Sequence, residues 1–396
     1  MSSLIGFEIK KFCNRRKNLL VLILFIILSI IFITLNSSLE SQLEKSEGAS
    51  IDLEIQSVED ALIKTKSEIE RIPDNEKLKI INSNYEEELN LLKDLKNAYA
   101  SEDFNKYLES KIQLDKNLLT NIENGNVISS QTPNEISQNI ELNTILLEEG
   151  IKPIYTSVSM EGFNFINLFL NNPISILIVI FIIILSADIV SSEYDSNTYK
   201  LLFTQPISKI NILLSKVVAT LIMVTITLFG IITICFLTLG FTKGVGDINY
   251  PIQFYNNGVT EYISIGKFIL FELVLFIILI TFISILSVAI SSFSKSTSNS
   301  IAVSIIITVA GYMLSSKGFF VKFAHLNPFV YFDLSNVLKG SLATSYGNSN
   351  ISFKYGAITL VLSIIILLIV NVLLFKRDSI FFNKICKLNS LRAHER

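Results

Sequence analysis

The sequence LLVLILFIILSIIFITL, residues 19–35, decides the fold, because it runs for seventeen residues without a charged side chain. At roughly 0.3–0.6 kcal/mol per central Leu, Ile, Phe or Val, such a run inserts favourably into a bilayer. It is longer than the apolar region of a signal peptide, and Asn36-Ser37-Ser38 offers no A-x-A cleavage site. We therefore expect an uncleaved membrane anchor.

The composition extends this expectation to the whole chain. Half of the 396 residues are hydrophobic, only 17% are charged, and the mean hydropathy is +0.52. Soluble domains carry about 25% charged residues, and a soluble protein of this composition could not cover its surface. The composition thus excludes a cytosolic enzyme and predicts a polytopic membrane protein.

Six apolar stretches are long enough to cross a bilayer, at 19–35, 173–190, 217–240, 273–292, 300–316 and 355–375. Basic residues set their orientation, because loops rich in Lys and Arg stay in the cytoplasm. They precede the first stretch and follow the last, at Lys10, Lys11, Arg15, Arg16, Lys17, Lys376, Arg377, Lys384 and Lys387. Both termini are therefore expected in the cytoplasm, which six spans allow.

The acidic residues are concentrated between the first two stretches. Residues 37–168 carry 25 Asp/Glu and 12 Lys/Arg, a net charge of −13, whereas the rest of the chain has a net charge of +11. We expect this segment to be an extracytoplasmic insertion. The remaining bases cluster at span ends, where topology already explains them, so a nucleic-acid partner is not expected.

The acidic segment is predicted to be helical, because its apolar residues recur at alternating spacings of three and four. The first such seam comprises Ile55, Val58, Leu62, Thr65, Ile69 and Ile72, and Pro73-Asp74 ends it. Further helices are expected over residues 85–99, 102–122 and 135–148, with a stop at Asn124-Gly125. We therefore predict an all-α membrane protein with six transmembrane helices and a small helical bundle between the first two.

The residues needed for catalysis or cofactor binding are missing. The chain has three cysteines and two histidines, has no CxxC pair and has no G-x-x-x-x-G-K-[ST] loop. No nucleophile–base arrangement is recognisable either. We expect no enzyme activity, no metal site and no nucleotide bound by this chain itself.

The segment SSEYDSNTYKLLFTQPISK, residues 191–209, lies between the second and third stretches. Leu201, Leu202 and Phe203 form an apolar cluster in this polar loop, and an exposed apolar cluster predicts a docking surface. Pro206 suits the first turn of the helix that leads into the third span.

This loop resembles that of the type-two ABC transporter permeases, where Glu is followed by Gly-Thr, Leu-Leu, Pro, a small residue, a base and a later Lys. The residues that match are Glu193, Thr198, Leu201, Leu202, Pro206, Ser208, Lys209 and Lys216. Asn197 stands where the family usually has Gly, and Asn is the next residue in tolerance of positive φ. The large insertion is similar to that of bacitracin, lantibiotic or sodium exporters.

The resemblance implies a permease subunit that pairs with a second half, the same or a related chain, in a bacterial plasma membrane. It also implies a separate cytoplasmic ATPase that holds ATP and Mg. Docking of that ATPase is then expected at Glu193, Asp195, Thr198, Leu201, Leu202, Phe203, Pro206 and Lys209.

The predicted division of the chain follows from these observations. It comprises a cytoplasmic amphipathic elbow segment (1–17), the first transmembrane helix (18–36), the extracytoplasmic helical domain (37–168), transmembrane helices two to six with the coupling loop 191–210 (169–375), and a basic cytoplasmic tail (376–396).

Two acidic residues near span ends are candidates for a substrate or ion pathway, Asp188 in the second span and Glu272 in the fourth. No span carries a charge at its centre, which favours a hydrophobic or amphipathic cargo such as an antimicrobial peptide, a drug or a lipid-like molecule. The alternative is an ATPase-independent envelope scaffold or sensor, in which the helical domain recognises a ligand or partner.

Overall fold

The computed structural model describes residues 1–124, 131–156, 158–171, 174–256, 258–294 and 296–394. Six of the described helices are long and apolar enough to cross a membrane: Arg16–Arg71, Ile174–Asp195, Lys209–Thr242, Ile265–Phe293, Thr297–Ser315 and Phe353–Leu374. They follow the six predicted stretches in order. The most apolar window of the fourth is 67% buried and those of the first, fifth and sixth are each 17% buried, so the fourth is central and the other three are peripheral.

The described helices are numbered in chain order. The first nine are α1 (Ser2–Cys13), α2 (Arg16–Arg71), α3 (Glu76–Ala100), α4 (Phe104–Glu123), α5 (Pro133–Glu149), α6 (Gly162–Phe169), α7 (Ile174–Ser186), α8 (Ser191–Asp195) and α9 (Tyr199–Thr204). The others are α10 (Lys209–Thr242), α11 (Ile265–Phe293), α12 (Thr297–Ser315), α13 (Leu334–Lys339), α14 (Ser341–Ser345) and α15 (Phe353–His394), with 3-10 helices at Gly318–Leu326 and Pro328–Phe332.

Helix α2 carries the first span into the inserted domain without a break. The predicted boundary between residues 36 and 37 lies inside this helix, and the part beyond Asn36 is about 50 Å long at 1.5 Å per residue. The helix ends at Arg71 because Ile72 precedes Pro73, and the residue before a proline disfavours helical backbone. One unbroken helix therefore links the first span to the inserted domain.

The inserted domain consists of the outer part of α2 together with α3, α4 and α5, each packed on the next. Side chains at the N-caps stabilise the starts of α3 and α5. Asn75 accepts hydrogen bonds from the backbone N–H groups of Lys77 and Leu78, and Thr132 forms a capping box with Glu135. Helix α5 ends at Gly150, where φ is 66°. The helices predicted for this segment are confirmed, although Gly125 of the predicted stop lies outside the described part.

The expectation of an entirely helical chain missed one β-hairpin. Strands β1 (Pro251–Asn256) and β2 (Val259–Ser264) pair antiparallel, with Pro251 opposite Ser264, and lead directly into α11. The Tyr262 hydroxyl donates to the backbone oxygen of Gln138 at 3.0 Å. The hairpin therefore joins the inserted domain to the membrane body.

The second span is interrupted between α7 and α8. The backbone N–H groups of Val190 and Ser191 donate to Ser291 Oγ at 3.2 and 2.9 Å, and Ser300 Oγ donates to the backbone oxygen of Ala187. Irregular backbone at membrane depth needs such partners, because lipid tails offer no hydrogen bonds. Serines on α11 and α12 thus stabilise the turn between α7 and α8, which sets the direction in which α8 begins.

Candidate functional site

A buried lysine joins the elbow helix α1 to α8, the last part of the second span. Lys216 on α10 is fully buried, and its Nζ donates to Glu8 Oε1 at 2.7 Å and to Glu193 Oε1 at 2.8 Å. Glu8 belongs to α1 and Glu193 to α8. Because a buried charge is costly unless paired, these contacts fix three elements relative to one another.

Glu193 is the centre of this network. Its carboxylate also accepts hydrogen bonds from Lys11 Nζ and Thr198 Oγ1, and only 4% of the residue is exposed. The sequence led us to expect Glu193 on an exposed docking loop. The structure instead places it beneath that surface, where it holds α1, α8 and α10 together.

Asp188 belongs to the same end of the molecule, here called the elbow end. Its Oδ2 lies 3.0 Å from Arg15 Nη1 and 2.7 Å from Lys17 Nζ. Arg15 also donates to Ser192 Oγ at 2.7 Å. The residue that we considered for an ion pathway therefore holds the start of α2 against the interrupted second span.

The turn between α8 and α9 has the conformation expected from its sequence. Asn197 has a φ of 57°, the positive φ that Asn tolerates better than most residues other than Gly. Asp195 lies exposed beside it, and its Oδ2 accepts the backbone N–H of Thr297 at 2.9 Å. Asp195 thus ties this turn to the start of α12.

Pro206 does not lie where it was predicted. Helix α10 begins at Lys209 with Ser208 as its N-cap, so Pro206 occupies the exposed bend before the helix. The prediction of Pro206 in the first helical turn is therefore wrong. Because Pro206 cannot donate a backbone hydrogen bond, an exposed bend without helical bonds suits it equally well.

A groove of about 740 Å³ opens between α1 and the α9 region. Its lining consists of Phe7, Lys10, Lys11, Asn14, Arg15, Glu193, Thr198, Leu201, Leu202 and Gln205. The exposed fractions of Leu201 and Phe7 are 69% and 64%. This groove, here called the elbow groove, therefore combines exposed apolar side chains with three bases. The side chain of Phe203 lies outside the described part.

Glu272 lies near the opposite end of the membrane body, the end that carries the β-hairpin. It is fully buried on α11 and is not part of the elbow groove. A separate cavity of about 280 Å³ lies where the inserted domain meets the membrane body. Glu44, Tyr155, Glu161 and Asp247 are among its lining residues, and burial raises the pKa of Glu161.

Sequence reasoning missed how far the elbow helix contributes to this site. The bases before the first span were explained by topology alone, yet Lys11, Arg15 and Lys17 bind carboxylates at Glu193 and Asp188. The available signal was the presence of acidic residues close to the end of an apolar span, where a charge needs a partner.

Comparison with known proteins agrees with this architecture. The family model described as ABC-2 family transporter protein matches residues 3–380, which include α1, the six spans and the inserted domain. No curated protein and no solved structure matches the chain. Since the matched residues cover nearly the whole sequence, the chain belongs to the ABC-2 family of transporter proteins, whose members are transmembrane subunits of ABC transporters.

Proposed function

We propose that the chain is the permease subunit of an ATP-driven exporter in a bacterial plasma membrane. The observation that carries this proposal is the elbow groove, which presents exposed apolar side chains and bases above a buried ion-pair network. Exposed apolar surface of this kind is typical of a protein interface. In this proposal the elbow end faces the cytoplasm, as the basic residues around the first span favour.

The groove would receive a separate ATPase, which would hold the ATP and Mg ions. Leu201 and Phe7 would supply apolar contact, and Lys10 would favour a partner surface with acidic side chains. Of the other residues predicted for docking, Thr198, Pro206 and Lys209 would border the contact. Buried Glu193 would position the groove.

A second permease half, the same or a related chain, would cover part of the membrane body. The first, fifth and sixth spans leave most of their apolar windows exposed. Lipid covers such surface in any membrane protein, so this exposure allows a paired half without identifying its face.

The cargo in this proposal is hydrophobic or amphipathic, and the inserted domain meets it or controls its exit. The cavity of about 280 Å³ at the junction with the membrane body supports this role, because it brings Glu44, Glu161 and Tyr155 together at one opening. The second candidate function is an envelope scaffold or sensor that works without an ATPase. The length of α2, which extends the domain far beyond the membrane, favours that candidate.

The deciding experiment tests whether the elbow groove binds an ATPase. The tagged chain is co-expressed with an ABC ATPase encoded beside it and purified in detergent. We expect the two to co-purify, and we expect Leu201→Ser to weaken association at least about tenfold, since an interface anchor contributes 1–2 kcal/mol or more.

The matched control is Leu53→Ser in the inserted domain, because Leu53 is 67% exposed, nearly the same as Leu201. The control variant should retain full association. An unchanged yield of ATPase with Leu201→Ser combined with Lys10→Glu would place the dock elsewhere, and a neighbouring ATPase that never associates would favour the scaffold.

A further inference from the structure

Two polar cavities adjoin where α6 meets the hairpin and the inserted domain. The cavity of about 280 Å³ described above is here called the acidic chamber, and a cavity of about 250 Å³ beside it is called the lysine chamber. The two chambers share four lining residues, which are Ile154, Thr156, Ser159 and Tyr250. They are therefore two parts of one polar site.

The acidic chamber carries an excess of negative charge. One of its carboxylates, Glu40, is already paired with Lys243. The other charged residues that line it are Glu44, Glu161, Asp247 and Lys152. Three carboxylates and one ammonium group leave two negative charges without a counter-charge in the lining. This chamber thus favours a positively charged group of a ligand.

The lysine chamber has the opposite character. Lys339 is the one charged residue among the described residues that line it. Its Nζ donates to Asn167 Oδ1 at 3.2 Å, which uses one of the three N–H groups of the ammonium. Burial lowers the pKa of Lys339, and the carboxylates of Glu272 and Asp333 oppose that shift. The lining thus offers a positively charged donor to an anionic group.

An amide without a partner in the lysine chamber points to a ligand. Asn167 is 7% exposed, and its Oδ1 accepts hydrogen bonds from Ser335 Oγ and Lys339 Nζ. Because the ammonium can only donate, the oxygen of the amide must face Lys339. Within the described part of the chain, Asn167 Nδ2 is then left buried without a hydrogen-bond partner. Such a donor is costly to bury, and an anionic group in this chamber would supply its acceptor.

Helix α6 sets the distance between the two charged ends of the site. Glu161 is its N-cap, and Asn164 and Asn167 follow at intervals of three residues on the same face. Asn164 Nδ2 lies 3.4 Å from Glu161 Oε2, so the two chambers are connected through this amide. From Glu161 to Asn167 the helix rises by about 9 Å. Hydrogen bonds of about 3 Å at either end leave room for a ligand whose opposite charges are a few atoms apart.

We propose that the two chambers together bind a zwitterion, which carries an ammonium group and a phosphate or carboxylate a few atoms apart, as in a phosphoethanolamine head group. The ammonium lies beside Glu161, and the anion accepts hydrogen bonds from Lys339 and Asn167. A zwitterion adds no net charge, whereas a lone anion would lie near the carboxylates of Glu272 and Asp333 without compensation. A lone cation would leave Asn167 Nδ2 without an acceptor.

The position of the site suits the polar end of an amphipathic molecule. Helix α6 precedes the second span, and β2 leads directly into the fourth span α11. A head group held between them would keep its apolar part beside the spans. That this ligand is part of the cargo rests on the proposed function, whereas its binding is measured on the chain alone.

The test measures the melting temperature of the full chain in detergent without an ATPase, so that failure of binding and failure of docking are distinguishable. The probe is glycerophosphoethanolamine, compared with an equimolar mixture of ethanolamine and glycerol phosphate at the same ionic strength. We expect the linked probe to raise the melting temperature by several degrees, with saturation as single-site binding requires. The separate halves should give less than half of that rise, because linkage makes the second contact intramolecular. No rise, or an equal rise with the separate halves, would overturn the proposal.

Glu161→Gln removes the carboxylate beside the ammonium and keeps the size of the side chain. We expect this variant to lose most of the rise given by the linked probe, and Lys339→Gln to lose it from the anionic end. Glu261→Gln on β2 is the control, because Glu261 is an exposed carboxylate on the same end of the molecule, and it should retain the full rise. A full rise in folded Glu161→Gln contradicts the proposed site, whether or not Lys339→Gln folds.

The same measurement in nanodiscs distinguishes a lipid head group from a free zwitterion. Discs of phosphatidylglycerol alone are compared with discs that also contain phosphatidylethanolamine. If the lipid fills the site, phosphatidylethanolamine should abolish further stabilisation by the soluble probe, whereas a site that only free molecules reach should retain it. Either result supports the site and identifies the source of its ligand.

Discussion

Single charged residues determine how the elbow end is assembled. Lys216 lies in a span, yet its ammonium is fully enclosed between Glu8 and Glu193. Such a cluster adds little to stability as a whole, because desolvation offsets attraction, but the loss of one member leaves the others buried without a partner. Removing any one of these three charges is therefore expected to destabilise the fold through the unpaired charges that remain.

We expect Lys216→Met to destabilise the full chain by about 3 kcal/mol, because Glu8 loses its buried counter-ion and Glu193 loses one of two. Thermal denaturation in detergent measures the change. The control is Lys200→Met, which alters an exposed lysine on α9 and should change stability by less than about 0.5 kcal/mol. Equal destabilisation by both variants would contradict a special role for the buried site.

Helices of the inserted domain are specified by local signals that act within each element. The buried face of such a helix is mainly apolar, as Tyr107, Leu108 and Ile112 show in α4. Asp115 is an exception, because this acidic residue lies on the same buried face. Asp115 is 5% exposed and its Oδ2 lacks a hydrogen-bond partner, although Lys111 Nζ lies 3.7 Å from Oδ1. Burial is the main cause of the raised pKa of Asp115.

This raised pKa predicts how the stability of the inserted domain depends on pH. The folded state holds the proton of Asp115 more tightly than the unfolded state, so the contribution of this residue falls as the pH rises from the unfolded pKa to the folded pKa. At neutral pH we therefore expect Asp115→Asn to be more stable than the unaltered segment 38–165. Near pH 4 or below the two should converge.

Circular-dichroism melts of segment 38–165, expressed alone, at the two pH values provide the measurement. Asp94→Asn on α3 is the control, since Asp94 is exposed and should leave the pH dependence unchanged. A lower stability of Asp115→Asn at neutral pH would show that Lys111 stabilises the ionised carboxylate more than burial opposes it.

The whole molecule joins the elbow end to the inserted domain through one helix. Arg15 and Lys17 anchor the start of α2 on Asp188, and the same helix carries residues that pack in the inserted domain. Farther along α2, Glu40 accepts the backbone N–H of Met160 at 2.8 Å and pairs with Lys243 on the membrane body. One continuous helix therefore contacts both the elbow end and the inserted domain.

At this scale we expect the inserted domain to be required for transport but not for ATPase docking. Replacing residues 38–165 with a flexible Gly/Ser linker should leave ATPase co-purification intact, because the elbow groove contains none of these residues. Cargo-stimulated ATP hydrolysis and cargo-dependent resistance should be lost. Transport that persists after the replacement would reduce the domain to a spacer.

The predictions that succeeded concern features encoded by neighbouring residues. Apolar runs identified the six candidate spans, and apolar residues spaced alternately three and four apart identified the helices of the insertion. The Asn197 turn followed from the tolerance of Asn for positive φ. The β-hairpin was missed because six-residue strands within a short connection carry little periodic signal. Pro206 was misplaced because a proline fits both a first helical turn and a bend.

The sequence by itself determined that this protein has six helices long and apolar enough to span a membrane and carries an acidic helical insertion, because hydrophobicity and helical period are properties of contiguous residues. Only the tertiary structure decided which charges meet. Lys11 reaches Glu193 across 182 positions, and Lys216 reaches Glu8 across 208. The residues next to each of these side chains do not indicate its distant partner. The packing of α1 against α10 brings the charges together and excludes water. Because a buried charge is costly unless paired, each charge then depends on its partner.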